Sequence, residues 1–383
     1  MATTVPAQDL LIRKETHLGV VRELPLDETH IWSSIAPFMS VPHDDVIFDI
    51  AQPDTTGLVP ARAEDAESEM AVKDDYFGQG SASVVDWAIK DFYSASDVTR
   101  FRDSVYVGDG LRAGGLAVPQ TYSSDAEQFQ NRLNRDTARR RRKIENRLEW
   151  LTVTQGLEAG TITYNDGKVQ FTVDFGRPAN QTDEATAGAD WDVTDGTHDP
   201  IAEFVAVQDT MRDTYDIEMG TVIMSPKAIR RMANSLAFYE RTAGFAMPAG
   251  TAPTDLQYLN TSWGPTAAAA IVEAATGLRL VSYDGKYRTR AYGSTTPTIN
   301  RFMSENKAIF LPDFASAGEL LGTDIGFAKT LTSPHPEGNW QSGFYSYEHT
   351  DVDPWGYMIG TGIKAFPVFP ALELTYSMVL WTP

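Results

Sequence analysis

The 383-residue chain contains no cysteine, which excludes disulfides, thiolate metal sites and thiol nucleophiles. No segment approaches the ~18 apolar residues of a membrane span, and the opening MATTVPAQDLLIRKETHLG holds no apolar stretch of signal-peptide length. The expectation is a soluble protein made in a cytoplasm. Positive charge is also scarce. Thirty-two Lys and Arg stand against 52 Asp and Glu, a formal net charge of −20. That balance opposes nonspecific DNA affinity and favours solubility at high concentration, although halophilic adaptation gives the same composition.

Motifs for chemistry are missing as well. The six histidines (17, 30, 43, 198, 335 and 349) never fall at HxH, HxxxH or HExxH spacing, so no zinc site is expected. Asp190-x-Asp192…Asp195-Gly196 has its glycine one place late for a calcium loop and lacks the closing Glu. No G-x-S-x-G, Walker A or G-x-G-x-x-G occurs, and the glycines of Gly108–Gly115 read as a hinge. Asp44-Asp45 and Asp74-Asp75 are neighbours that point to opposite faces of a strand, which opposes shared acid–base work. No catalytic residue, metal ligand or cofactor is expected.

What the chain does have is one concentrated basic segment. From Ser123 to Glu149 there are eight Lys or Arg against five Asp or Glu, a net +3 that leaves −23 for everything else. The segment reads as a long helix. Ser124-Asp-Ala-Glu127 has capping-box spacing, and Phe129, Leu133, Thr137, Ile144, Leu148, Leu151 and Gln155 follow at helical steps, with arginines filling one gap. Ending at Gly156 or Gly160, roughly 33 residues make a rod of about 50 Å. Such a rod suggests a structural spine that meets other subunits. The competing reading of its arginine run is a solvated face with i,i+4 pairs such as Arg132–Asp136 and Arg141–Glu145.

Around the spine the pattern is α+β. Residues 1–45 read as an extended arm with short helices near Ala7–Lys14 and Glu28–Met39, and Asp45–Ala51 as a strand. Residues 54–82 are too poor in large apolar side chains to form their own core. Val85, Trp87 and Ile89 alternate as a half-buried strand, and Thr161–Tyr164 with Val169–Phe175 reads as a hairpin. Residues 176–197 read as a polar, acidic loop. Further on come a helix at Pro200–Asp213, a strand at Thr221–Met224, and a helix from Pro226 to about Tyr239 capped by Ser225. An Ala-rich helix Thr266–Thr276 precedes strands Leu278–Tyr283 and Ala308–Leu311, which flank a mobile-looking segment, Asp284–Asn306. Residues 312–345 read as irregular. The C-terminus reads as a strand with Leu372, Leu374, Tyr376, Met378 and Leu380 on one face.

In that order, Ala138–Ile144 through Gln155 to Ile162–Tyr164, His198-Asp-Pro200, Val222–Lys227, Asn306–Leu311 and the closing strand resemble the major capsid proteins of tailed phages. The resemblance is to the phage lambda major head protein (capsid protein E) family, with the Hong Kong 97 capsid fold. It implies an α+β chain divided into an N-terminal arm (1–45), an extended β-loop with flanking strands (46–100), a peripheral domain with spine helix and hairpin (101–197), an axial α/β domain (198–347), and a return to the peripheral domain (348–383). The stretches near 240–265 and 312–345 depart from the family pattern.

The implied function is a major capsid protein that assembles into hexamers and pentamers, forming an icosahedral shell around packaged double-stranded DNA. The resemblance implies inter-subunit contacts by Val59, Val72, Lys73, Tyr76 and Phe77 of the extended loop and by Arg139, Arg140, Arg141 and Arg142 of the spine. Further implied partners are a separate scaffold protein, a portal protein and decoration proteins, with only weak contact to DNA and none to membrane. The implied location is the virion capsid, with assembly in the host cytoplasm. The alternative is an acidic enzyme or sugar-binding protein of a halophile, with a pocket in residues 198–311 lined by Trp263, Tyr283 and Tyr287.

Overall fold

The computed structural model describes residues 14–26, 29–50, 78–94, 96, 125–166, 169–182, 191, 198–235, 237–238, 265–290, 296–313, 327–353 and 355–381. The loop residues Val59, Val72, Lys73, Tyr76 and Phe77 lie outside these, as do Asp74-Asp75, the Gly108–Gly115 connector and Trp263.

The spine forms as the periodicity predicts. An α-helix runs over Asp125–Glu149 and passes directly into a π-helix, Trp150–Ala159. Gly160, at φ +78°, ends it in the left-handed conformation that glycine adopts without a Cβ penalty. Arg177 then donates to the open carbonyl of Leu157 at 2.7 Å, placing a cation at the negative end of the helix dipole.

Trp355–Val368 is the longest strand and the centre of a five-stranded sheet. Val85–Ser94 lines one side of it, with the expected half-burial. The other side is lined by Lys329–Thr332 and then by Phe344–Val352, while Phe38–Ser40 adds a parallel edge strand to Lys329–Thr332. Gly356, Gly360 and Gly362 in the central strand lie under the rings of Phe92, Tyr347 and Tyr345, where any Cβ would collide.

The second sheet orders Tyr376–Val379, Lys307–Pro312, Met219–Met224 and Arg279–Ser282. Its inner strands, Lys307–Pro312 and Met219–Met224, bury apolar side chains on both faces. Val222, Met224, Ala308 and Phe310 pack with Phe204, Met211, Ile229, Met232 and Val272 of the helices Pro200–Tyr215, Pro226–Ala233 and Pro265–Thr276. Ile223, Ile309 and Leu311 instead join Leu151, Val153 and Leu157 of the spine and Phe366 and Val368 of the first sheet. The spine's π-helical segment is thus buried between the two sheets.

Several expectations need correction. The expected helix Ala7–Lys14 lies outside the described residues except for Lys14. The arm carries a helix at Lys14–Glu23, and in place of a helix over Glu28–Met39 a short helix at Trp32–Ile35 and the strand Phe38–Ser40, because Pro37 disfavours helical backbone just before it. The helix capped by Ser225 ends at Ala233. Residues 284–306 include a β-ribbon, Lys286–Thr289 with Thr298–Arg301. Residues 312–345 supply the core strand Lys329–Thr332 and a small hairpin. At the C-terminus Leu372–Leu374 is a 3-10 turn, and the shorter strand after it is buried on both faces: Thr375 and Ser377 are as inaccessible as their apolar neighbours.

Candidate assembly surface on the spine helix

The arginine run divides by helical phase. Arg140 and Arg141 fall in the gap of the apolar stripe and are buried; Arg139, Arg142 and Lys143 face outward. Arg140 donates to Asp91 Oδ2 at 2.5 Å and to Thr137 Oγ1 at 2.8 Å, reaching Thr361 at 3.4 Å. Arg141 pairs with the equally buried Glu145 at 2.9 Å, donates to the carbonyl of Val21 in the arm, and covers the Phe344 ring at 4.7 Å. Both guanidiniums are therefore engaged inside the subunit. Arg139 keeps a side chain 74% exposed, beside Asp136 at 3.4 Å.

Other charged spine residues are also structural. Arg147 lies 5.2–5.5 Å from the ring centres of Trp87, Trp150 and Tyr164, a half-buried cation–π arrangement. Glu149 accepts the amides of Ile31 at 3.1 Å and Trp32 at 2.8 Å and the hydroxyl of Tyr283. Burial raises its pKa, and these bonds oppose that rise. Glu158 accepts from Ser304 N at 3.0 Å and Oγ at 2.5 Å, with Lys307 Nζ at 3.3 Å. One rod thereby fastens the arm, both sheets and the 283–307 region. Sequence reasoning missed Glu149 and Glu158 because their partners are distant in the chain. For Arg140 and Arg141 the stripe phase was the available signal.

Two clefts flank the exposed arginines. One, of about 240 Å³, is lined by Asp91, Phe92, Arg132, Asp136, Arg139 and Lys143. The other, of about 520 Å³, lies between Leu24, Pro25 and Leu26 of the arm and Arg139, Arg142 and Glu145. Both offer cations above an apolar or mixed floor, suited to an acidic protein segment. Among the described residues, no three His, Asp or Glu gather as metal ligands.

The pocket expected within 198–311 is corrected at Tyr283, whose ring is in the core and whose hydroxyl is bonded to Glu149. Tyr287 packs on Phe302 at 4.9 Å between ring centres.

A family model for phage major capsid protein E matches residues 24–322. The sequence matches no curated protein. Among solved structures, the chain is similar to a candidate capsid protein of an Escherichia coli CFT073 prophage, with TM-score 0.57, 15% identity, and 96% of this chain and 99% of that chain covered. It is also similar to a phage-related protein from Bordetella bronchiseptica RB50, with TM-score 0.52, 13% identity and 96% of both chains covered.

Proposed function

This chain belongs to the phage major capsid protein E family, and from that premise we propose how its parts build a shell. It is a phage major capsid protein of α+β, Hong Kong 97-like fold: a structural protein of the virion, not an enzyme, that assembles with copies of itself. The family match over most of the chain carries this reading.

The proposal extends to architecture. Copies form hexamers and pentamers that close an icosahedral shell around double-stranded DNA, assembled in the host cytoplasm on a separate scaffold protein, with a portal protein and decoration proteins as further partners. Residues 1–45 are the arm, 101–197 with 348–383 the peripheral domain, and 198–347 the axial domain. Residues 46–100 form the extended loop, reaching a neighbour through Val59, Val72, Lys73, Tyr76 and Phe77. Its stem supports this reading: Asp45–Ile50 pairs antiparallel with Gly78–Ser83.

Charge supports a receiving surface. Thr55–Ser83 holds six Asp or Glu against two Lys or Arg, complementary to the exposed Arg139, Arg142 and Lys143 edge of another copy. Arg140 and Arg141 contribute to that edge indirectly, by fixing the helix beneath it. Replacing Val59–Gly80 with a short Gly-Ser linker is expected to leave a folded, soluble subunit that closes no shells in electron micrographs. Normal particles from that deletion would refute the loop's role.

A further inference from the structure

Residues 333–343 leave the five-stranded sheet between two nearby rungs, because Thr332 stands opposite Ala365 and Phe344 opposite Ile363. The excursion is a small hairpin pairing Pro334 with Ser342 and His335 with Gln341. At its tip Asn339 and Trp340 have φ of 57° and 58°. Asn tolerates the left-handed region; a bulky indole there is an outlier that persists only when its surroundings enforce it.

The surroundings do enforce it. Trp340 N donates to His335 O at 3.2 Å, and Asn339 N to Pro336 O at 3.1 Å. The His335 ring stacks on Tyr345 at 3.9 Å. From the arm helix, Arg22 donates to Phe344 O at 3.1 Å, Gln341 Oε1 at 2.5 Å and Gly338 O at 3.3 Å. Yet the indole so firmly placed is 73% exposed, and among the described residues it has no ring or side-chain hydrogen-bond partner. Ser40 Oγ lies 2.6 Å from Ser342 Oγ, so the sheet's outermost strand, with the exposed Phe38 and Met39, runs beside this hairpin.

We propose that Trp340, at the tip of this hairpin, is a contact between copies of this chain in the shell. The occupant is a second copy because this is a shell-forming protein and the hairpin stands beside the sheet's terminal strand. A rigid, preplaced tryptophan is the residue type that most often dominates such interfaces. The proposal rests on the shell-forming function and adds a contact outside the extended loop and the spine.

Oxidative footprinting of the wild-type protein tests it directly. Trp340 should be oxidised readily in free subunits and lose most of that oxidation in closed particles; equal oxidation in both overturns the contact. Trp340→Ala and Trp340→Gly are expected to keep the subunit melting temperature. They should raise the concentration needed for shells about thirtyfold or more, the effect of truncating an interface hot spot. Variants that form shells at the wild-type concentration overturn this contact alone. A wild-type protein that forms no particles even when its scaffold protein is supplied overturns the shell-forming function along with it.

Discussion

Glu149 accepts the backbone amide of Trp32 at 2.8 Å across 117 residues of sequence, so one buried carboxylate where the spine passes from α- to π-helix holds the arm in place. The same carboxylate takes the Ile31 amide and the Tyr283 hydroxyl. Removing it strands three donors. Glu149→Ala is expected to cost roughly 3–5 kcal/mol of subunit stability in urea unfolding, since buried donors left unpaired each carry a desolvation penalty. A loss below about 1 kcal/mol, the net worth of one ordinary hydrogen bond, would show that the arm is held by other contacts.

The two kinds of spine arginine should separate experimentally. Arg141→Ala removes the buried pair with Glu145, the bond to Val21 O and the cover over Phe344, for an expected loss of about 3–5 kcal/mol. Arg139→Ala touches an exposed side chain and should change stability by less than about 0.5 kcal/mol. Its effect belongs in assembly yield instead. Chemical denaturation of the two purified subunits, followed by an assembly assay, distinguishes them.

His17 supplies a pH dependence. Its Nε2 lies 2.6 Å from Thr137 Oγ1 and its Nδ1 2.7 Å from Ser346 Oγ, and burial, with Arg140 second, depresses its pKa from 6.5 to about 4. Above pH 6.5 the ring is neutral in both folded and unfolded chains. As pH falls from 6.5 to about 4 the unfolded chain gains the proton first, so His17 removes up to about 3 kcal/mol of stability across that window. The fall should be shallower in His17→Gln, measured as urea midpoints at pH 7, 5.5 and 4.5. Parallel curves for the two proteins would contradict the assignment.

Lys143 joins Arg139 and Arg142 on the outward face of the one dense basic segment of the sequence. Phosphate contacts by such a patch would add salt-dependent affinity and hold DNA against the wall. Free subunits are expected to bind duplex DNA no more tightly than roughly 10⁻⁴ M at physiological salt. Micromolar binding that falls steeply with salt, and disappears on Arg139→Ala with Arg142→Ala, would instead make the spine a nucleic-acid surface.

The spine helix, the hairpin at Thr161–Asp174 and the Ser225-capped helix were legible because each announces itself locally, through periodicity, turn residues or a cap. The central strand Trp355–Val368 was not. Covered on both faces, it lacks alternation, and Gly360-Thr-Gly362 looks like a turn until Tyr345 and Tyr347 are seen filling the space above it. The inward arginines were visible as a break in the stripe. Their partners Asp91, Thr361 and Val21 become neighbours only through the tertiary fold.

The arm's attachments also set a schedule for folding. His17 bonds to Ser346, and Arg22 to Gly338, Gln341 and Phe344, at sequence separations of 316 to 329 residues. A ribosome emits the arm first and its docking site near the end. The arm can meet Thr137, Arg141 and Glu149 of the spine early, but its hold on residues 338–346 must wait through most of synthesis, a late, slow-searching step of the kind that high contact order imposes. A nascent chain truncated before residue 338 lacks this second hold, so unfinished copies carry an arm fastened to the spine alone.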